Sequence, residues 1–454
     1  MIKSTTYHPD WIFELRSRLG RKYDPKLIEK VVYALTFLEQ LKVNKLDFIF
    51  KGGTALLLAT EEPKRFSIDI DIITEENQKG IEAILDKISK EEIFTHWEDD
   101  NDRKHTPDAP IGHYKMYYDS AIDGKNEPIL LDLLFAPNPY PELMQVPISH
   151  NWIETQGEPI LVNMPTFDSI LGDKLTAFAP QTTGILYTKN RPVEIIKQLF
   201  DVAFLMDNLK DLPLVRKSYL QVVAEEIGFR KLDIEPIEVL EDTQQNCFTL
   251  STRDKSEAFN HLQTGITNFT NFTLIRFNID EAIIAAAKVA YLSEILKREG
   301  QSIERYNDPM DIKDWLIELA PYNRLNKLKK SNPEAFFYWY KVIVLYQQQE
   351  LVLSQTDTAT FNTAYSYYRS REGNFSTSDP IIKVQSKIKE NCPFVGYNRN
   401  ELSLMLKVID ENIAFMQEYE YVGLDFQTSV MNKRKVLEPL SNLRTRVKYK
   451  IDAR

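Results

Sequence analysis

The chain has 454 residues, a formal net charge of −10 and an apolar fraction of 43%. That length exceeds what one hydrophobic core usually supports, so two or three domains are expected, and the mixed charge excludes a disordered chain. The acidic balance argues against a general nucleic-acid coat, though not against an enzyme that grips nucleic acid through one local basic patch.

In chain order, a helix is expected over Pro25–Leu41, followed by a short β-rich run, Leu46–Phe50. Gly52-Gly53 then opens the apolar, helix-like Thr54–Ala59. Phe66–Ile73 alternates β-branched or aromatic residues with polar ones, the period of a half-buried strand. His113–Tyr118 and Ile129–Phe135 are further strand candidates, and the segment between them, with Gly124 and Asn126, reads as a turn. From Phe167 the pattern is helical: Phe167–Phe178, Val193–Met206, Leu214–Ile227, Ile279–Lys297, Asp311–Leu319, Glu334–Leu353 and Glu401–Tyr419. The expected fold class is α+β, a front α/β domain with a mixed or antiparallel sheet followed by a large helical body. The expected divisions are 1–165, 166–306 and 307–454. Seams are expected at Asn307-Asp308-Pro309, Ser354–Thr360 and Gly373–Pro380.

No run of about 18 apolar residues is present, so no transmembrane helix is expected. The N-terminal stretch lacks the apolar core of a secretory signal. Cys247 and Cys392 stand far apart and the six histidines are scattered, so neither a disulfide framework nor a zinc site is expected. A reducing, cytoplasmic setting suits that usage.

The chemistry concentrates in three places. Asp69 and Asp71 lie two apart in the strand-like run, so their side chains project to one face. Adjacent carboxylates raise each other's pKa unless a cation sits between them, which folding alone does not require. Oxygen-only ligands suit Mg²⁺ or Mn²⁺. Asp132 interrupts the apolar run Ile129–Phe135, and a buried charge needs a partner or a metal. If its strand lies antiparallel beside the first, Asp132 completes a three-carboxylate site for two metal ions and a nucleoside triphosphate. It could instead pair with Arg65 or Lys115. Gly52 and Gly53 would let a phosphate approach the start of a helix, with Thr54 adding a hydroxyl there. A glycine pair before a helix is more often only a tight turn.

The runs Phe50-Lys51-Gly52-Gly53-Thr54-Ala55-Leu56 and Arg65-Phe66-Ser67-Ile68-Asp69-Ile70-Asp71 resemble the AbiEii/AbiGii toxin family of polymerase-β-like nucleotidyltransferases. Asp173-Lys174-Leu175-Thr176-Ala177 resembles the family helix whose Lys contacts the triphosphate. Arg191 and Phe200-Asp201-Val202-Ala203 resemble its later R…D segment, although the Arg-Asp pair usual there is missing. The resemblance fades beyond about Pro309. It implies metal ligation by Asp69, Asp71 and Asp132, with Asp132 also positioning or deprotonating the acceptor. It further implies phosphate binding by Gly52, Gly53, Thr54 and Ser67, and charge neutralisation by Lys174. Asp201 would be a further catalytic residue, or else a helix cap or salt-bridge partner.

The implied activity is transfer of a nucleotide from a nucleoside triphosphate to RNA, with the tRNA 3′ end foremost. A separately encoded antitoxin is the implied partner. The competing readings are a protein-AMPylating enzyme, which is usually a much smaller domain, and a catalytically silent nucleotide-binding scaffold. The aromatic run Phe336–Tyr340 reads as core packing. The basic C-terminal end, from Lys433 to Lys450, reads as a solvated helix face before an RNA-binding edge.

Overall fold

The computed structural model describes residues 1–103, 110–297, 302–350, 355–372, 380–389, 397, 399–419 and 426–452. It divides into two compact units, Met1–Val342 and Ile343–Arg454.

In the first unit, helices α1 (Pro9–Leu19) and α2 (Pro25–Val43) precede strand β1 (Ile49–Lys51) and helix α3 (Gly52–Ala59). There follow β2 (Ile70–Thr74), α4 (Gln78–Ile88), β3 (His96–Asp99), β4 (Ile111–Asp119), β5 (Asn126–Phe135), β6 (Leu143–Pro147) and β7 (Leu161–Pro165). Among the described residues these strands form one mixed sheet of seven, ordered β3-β4-β5-β2-β1-β7-β6. Helices α5 (Phe167–Ala177), α6 (Pro192–Asp207), α7 (Leu212–Arg230), α8 (Pro236–Thr252), α9 (Glu257–Phe269) and α10 (Ile279–Leu296) make the helical body. The fold is α+β. No helix among the described residues is long and apolar enough to cross a membrane.

The sheet has two unlike faces because its strands alternate. Tyr114, Met116 and Tyr118 of β4, with Ile129, Leu131 and Leu133 of β5, are buried on one face. There α2 covers them, and Tyr33 stacks on Tyr118 at 3.6 Å between ring centroids. Burial of such a helix-on-sheet layer supplies most of the fold's stability. The residues between them, His113 on β4 and Asp132 on β5, face the other way and are only partly buried.

Strand β2 is shorter than the alternation predicts, starting at Ile70 rather than Phe66. The backbone ahead of it is bonded elsewhere: Phe66 N–H donates to Phe272 O at 2.8 Å, and Leu274 N–H to Lys64 O at 2.8 Å. An isolated bridge joins Arg65 to Thr273. Asp69 therefore stands in the lead-in to the strand, not within it. The pairing of β2 with β5 is parallel, and β1 is the antiparallel neighbour of β2, so the sheet is mixed.

The helix expected over Asp311–Leu319 is a short 3₁₀ turn, Pro309–Ile312, because the Asn326 side chain takes both polar groups of Ile317 and a helical ladder does not form. The segment 313–319 has no regular helix. Among residues 333–340, Phe336, Phe337, Tyr338 and Trp339 are buried, and Trp339 donates its indole N–H to Ser251 Oγ at 2.9 Å. The rest of the first unit holds α11 (Leu328–Ser331) and the start of α12 (Pro333–Glu350).

The second unit contains α13 (Gln355–Glu372), α14 (Pro380–Lys389), α15 (Arg399–Glu418) and α16 (Phe426–Asp452). Tyr365, Val384, Leu402, Met405, Val408 and Leu443 build its core. The seam expected at Ser354–Thr360 falls from Gln355 onward inside α13, while residues 373–379 of the third seam lie outside the described residues. Part of the basic C-terminal end is engaged within the unit, with Arg444 on Asp410 at 2.5 Å and Lys433 on Gln417 O at 3.0 Å.

Candidate active site

The register of the sheet lays four charged or titratable residues in one transverse row. Lys51 on β1 pairs with Asp71 on β2, Asp71 with Asp132 on β5, and Asp132 with His113 on β4. Directly paired residues share a face, so the row runs along the face turned away from α2. Lys51, Asp71 and Asp132, with Asp69, line a cleft of about 1010 Å³. Its opposite wall comes from the helical body: Asp173 and Lys174 of α5, Arg191 and Lys197 at the start of α6, and Glu226 and Arg230 of α7. Carboxylates dominate one side and cations the other.

The glycines fit this crowding. Gly52 has φ +78°, and a Cβ there would drive into the Asp71 carboxylate. A Cβ on Gly53 would strike the Arg65 guanidinium and come within 2.6 Å of Ser67 Oγ. No side chain caps α3, so the first N–H groups of the helix stand at the cleft floor with Gly52 and Gly53. Gly52→Ala is expected to lower stability by about 1–3 kcal/mol through backbone strain and overpacking. A guanidinium titration reads the loss, and an unchanged midpoint would show that the α3 start has room to spare.

Thr54 belongs to another place than the phosphate-binding role assigns it. It is fully buried, and its hydroxyl donates to Asp69 O at 2.6 Å. It fixes the backbone that carries Asp69 instead of facing the cleft. Ser67 does line the cleft.

Burial, then the neighbouring carboxylates of Asp132 and Asp69, push the Asp71 carboxyl up to about 7, and Lys51 and Lys174 offset only part of that. Lys51 lies 3.3 Å from Asp173 Oδ2, which also accepts the Tyr140 hydroxyl at 2.6 Å. Burial alone would depress Lys51, but Asp173, Tyr140 and Asp71 together hold the ammonium above its usual range. The same contacts outweigh burial at Asp173 and keep its carboxyl low.

Asp201 is 3% exposed and does not face the cleft as a reacting group. Its carboxylate takes Arg65 in a fork, Nε at 2.7 Å and Nη2 at 2.6 Å, and Lys174 Nζ at 3.1 Å. Burial would raise its pKa, yet Arg65 and Lys174 bring the carboxyl down to about 2. Lys174 also donates to Gln198 Oε1 at 2.9 Å. Of the two roles the sequence leaves open for Asp201, the geometry fits that of salt-bridge partner. Arg65 is spoken for here, and Lys115 holds Asp100 at 2.7 Å. Asp132 instead meets His113, Nδ1 to Oδ1 at 2.6 Å.

The residues fit a hard divalent cation in kind: three carboxylates border one cleft, and Asp71 is strained by the charge of the other two. Among the described residues no three acidic, His or Cys side chains are drawn together into a ready-made metal cluster.

Sequence reasoning missed His113, Asp173 and Tyr140. For His113 a signal existed: a hairpin pairing Asp119 with Asn126 puts His113, six residues back, opposite Asp132, six residues on. Asp173 was inside a quoted motif but carried no assigned role, and nothing local marks Tyr140.

Comparison with known proteins gives two kinds of result. Two solved structures superpose on the chain, both at 14% identity and TM-score 0.35. JHP933 from Helicobacter pylori matches over 61% of this chain and 93% of its own. An H. pylori protein named provisionally as a nucleotidyltransferase matches over 59% and 92%. Likeness that loose bears on no residue's role. No curated protein matches. The family model described as "Nucleotidyl transferase AbiEii toxin, Type IV TA system" matches residues 36–259, the stretch that carries every charged cleft residue named above. Over those residues the chain is similar to the AbiEii nucleotidyl transferase toxin family.

Proposed function

We propose that the chain binds a nucleoside triphosphate together with Mg²⁺ or Mn²⁺ and transfers its nucleotidyl group to an RNA hydroxyl, the tRNA 3′ end foremost. A separately encoded antitoxin would restrain it. The observation that supports this most is the pairing of Asp71 and Asp132 in register on one wall of a cleft with Lys174 on the other. A phosphoryl transfer needs little covalent chemistry from the protein and much positioning and charge. Asp69, Asp71 and Asp132 would hold the cation, which would supply charge neutralisation at the phosphates. The N–H groups at Gly52 and Gly53, with the Ser67 hydroxyl, would cradle phosphate oxygens. Lys174, held by Asp201 and Gln198, would face the departing pyrophosphate. Asp132 would orient the acceptor hydroxyl and take its proton.

The test incubates the purified protein with each labelled nucleoside triphosphate, Mg²⁺ or Mn²⁺, and total bacterial RNA plus protein. Label entering RNA supports the reading, label confined to protein moves the acceptor to a polypeptide, and no label in either overturns it. In the same assay Lys174→Ala is expected to weaken nucleotide binding by about 10–100-fold, the worth of one or two charge-assisted hydrogen bonds. Unchanged affinity would remove Lys174 from the phosphate site.

A further inference from the structure

The transverse row ends in a residue that no part of the transferase reading uses. His113 sits opposite Asp132 in the β4–β5 ladder, the longest pairing in the sheet, and its Nδ1 lies 2.6 Å from Asp132 Oδ1. An ionised carboxylate only accepts, so the imidazole Nδ1–H is the donor. The histidine is itself fixed. Its side chain is 16% exposed, and its backbone N–H donates to Asn101 Oδ1 at 3.0 Å. Asp132 is thus flanked across the strands by His113 on one side and Asp71 on the other. The Asp132 side chain is 31% exposed at the rim of the cleft, and His113 holds one of its carboxylate oxygens from the neighbouring strand.

We propose that His113 is a positioning residue that locks the rotation of the Asp132 carboxylate, so that Asp132 meets the cation and the acceptor hydroxyl in one orientation. The role rests on the transferase reading above. Outer partners of metal-ligating groups act by fixing their orientation, and losing one lowers metal affinity or activity about 10–100-fold.

The test uses the full chain and Mn²⁺ as probe, with free Mn²⁺ followed by electron paramagnetic resonance and nucleotide transfer measured alongside. His113→Phe keeps the ring and removes the donor; His113→Asn keeps a donor near the place of Nδ1. Expected is a 10–100-fold weaker Mn²⁺ affinity and a lower kcat in His113→Phe, with the nucleotide KM within about threefold. His113→Asn should recover most of both. In an Asp132→Asn background, His113→Phe should change Mn²⁺ affinity no further, because the histidine acts only through that carboxylate. Wild-type protein that binds Mn²⁺ and transfers nucleotide while His113→Phe matches it within threefold overturns the role of His113 alone. So does an undiminished effect of His113→Phe in the Asp132→Asn background. Wild-type protein that neither takes up Mn²⁺ nor transfers nucleotide overturns the transferase reading and this role with it.

Discussion

Asp201→Ala is expected to destabilise the protein by about 3–5 kcal/mol, because it leaves the Arg65 guanidinium and the Lys174 ammonium without their shared counter-charge in a buried setting. The carboxylate receives a forked pair from Arg65 at 2.7 and 2.6 Å and Lys174 at 3.1 Å, with both partners' side chains at 10% exposure or less. A denaturant titration at neutral pH reads the loss. A companion variant, Arg65→Met with Asp201→Leu, replaces the forked pair by apolar groups and should recover the part of that stability owed to Arg65 but not the part owed to Lys174, which stays buried without its counter-charge. It should not recover nucleotide affinity, because Lys174 keeps Gln198 but loses its anchor.

The pH dependence follows the same contacts. The folded carboxyl lies near 2, below the ordinary 3.8. Its contribution is therefore full above about pH 4 and lost as pH falls toward 2. If Asp201→Ala unfolds with the parent's midpoint and only transfer is lost, Asp201 is a reacting group after all.

How far the sequence could be read depended on whether a residue's partner lay nearby in the chain. Asp71 was legible because two acids spaced two apart in an apolar, alternating run are anomalous on local grounds, Asp132 because a lone acid in such a run is, and Gly52-Gly53 because a strand-to-helix corner demands small residues. Asp69 fell on the right wall for an incomplete reason. The alternation runs through it, but Phe272 and Leu274 take the hydrogen bonds of the segment ahead of β2, more than 200 residues away. Period alone cannot see such a competitor. The parallel β2–β5 pairing was hidden too, since α4, β3 and β4 intervene and either direction satisfies a hydrophobic pattern. Thr54 shows the opposite limit. Its type and position suit a phosphate, but burial turned its hydroxyl onto Asp69 O. Asp201 reads correctly only once Arg65 and Lys174, 136 and 27 residues away, are seen to converge on it.

Asp71→Asn is expected to abolish transfer while making the metal-free protein more stable. The carboxyl is pushed up to about 7 by burial and by Asp132 and Asp69, against 3.8 in an unfolded chain. In the folded protein its charged form is thus disfavoured, and an uncharged isostere escapes that penalty. The folded state binds the proton more tightly, so the parent loses stability as pH rises from about 4 to about 7 and then levels off. The gain from Asp71→Asn should be near zero at pH 4 and reach about 1–3 kcal/mol at pH 8, short of the full shift because the neighbouring charges relax. Thermal unfolding of both proteins in chelator, at pH 5 and pH 8, measures it. Adding Mn²⁺ should raise the parent's midpoint and leave the variant's nearly unmoved, since only the parent keeps the full set of carboxylates. Transfer should fall by at least about 1,000-fold, the several kcal/mol that charge neutralisation at the phosphates supplies. A variant less stable than the parent at pH 8 in chelator would mean that Lys51, its partner across β1 and β2, already satisfies Asp71 as a structural ion pair. Its strain could then no longer be read as preparation for a cation.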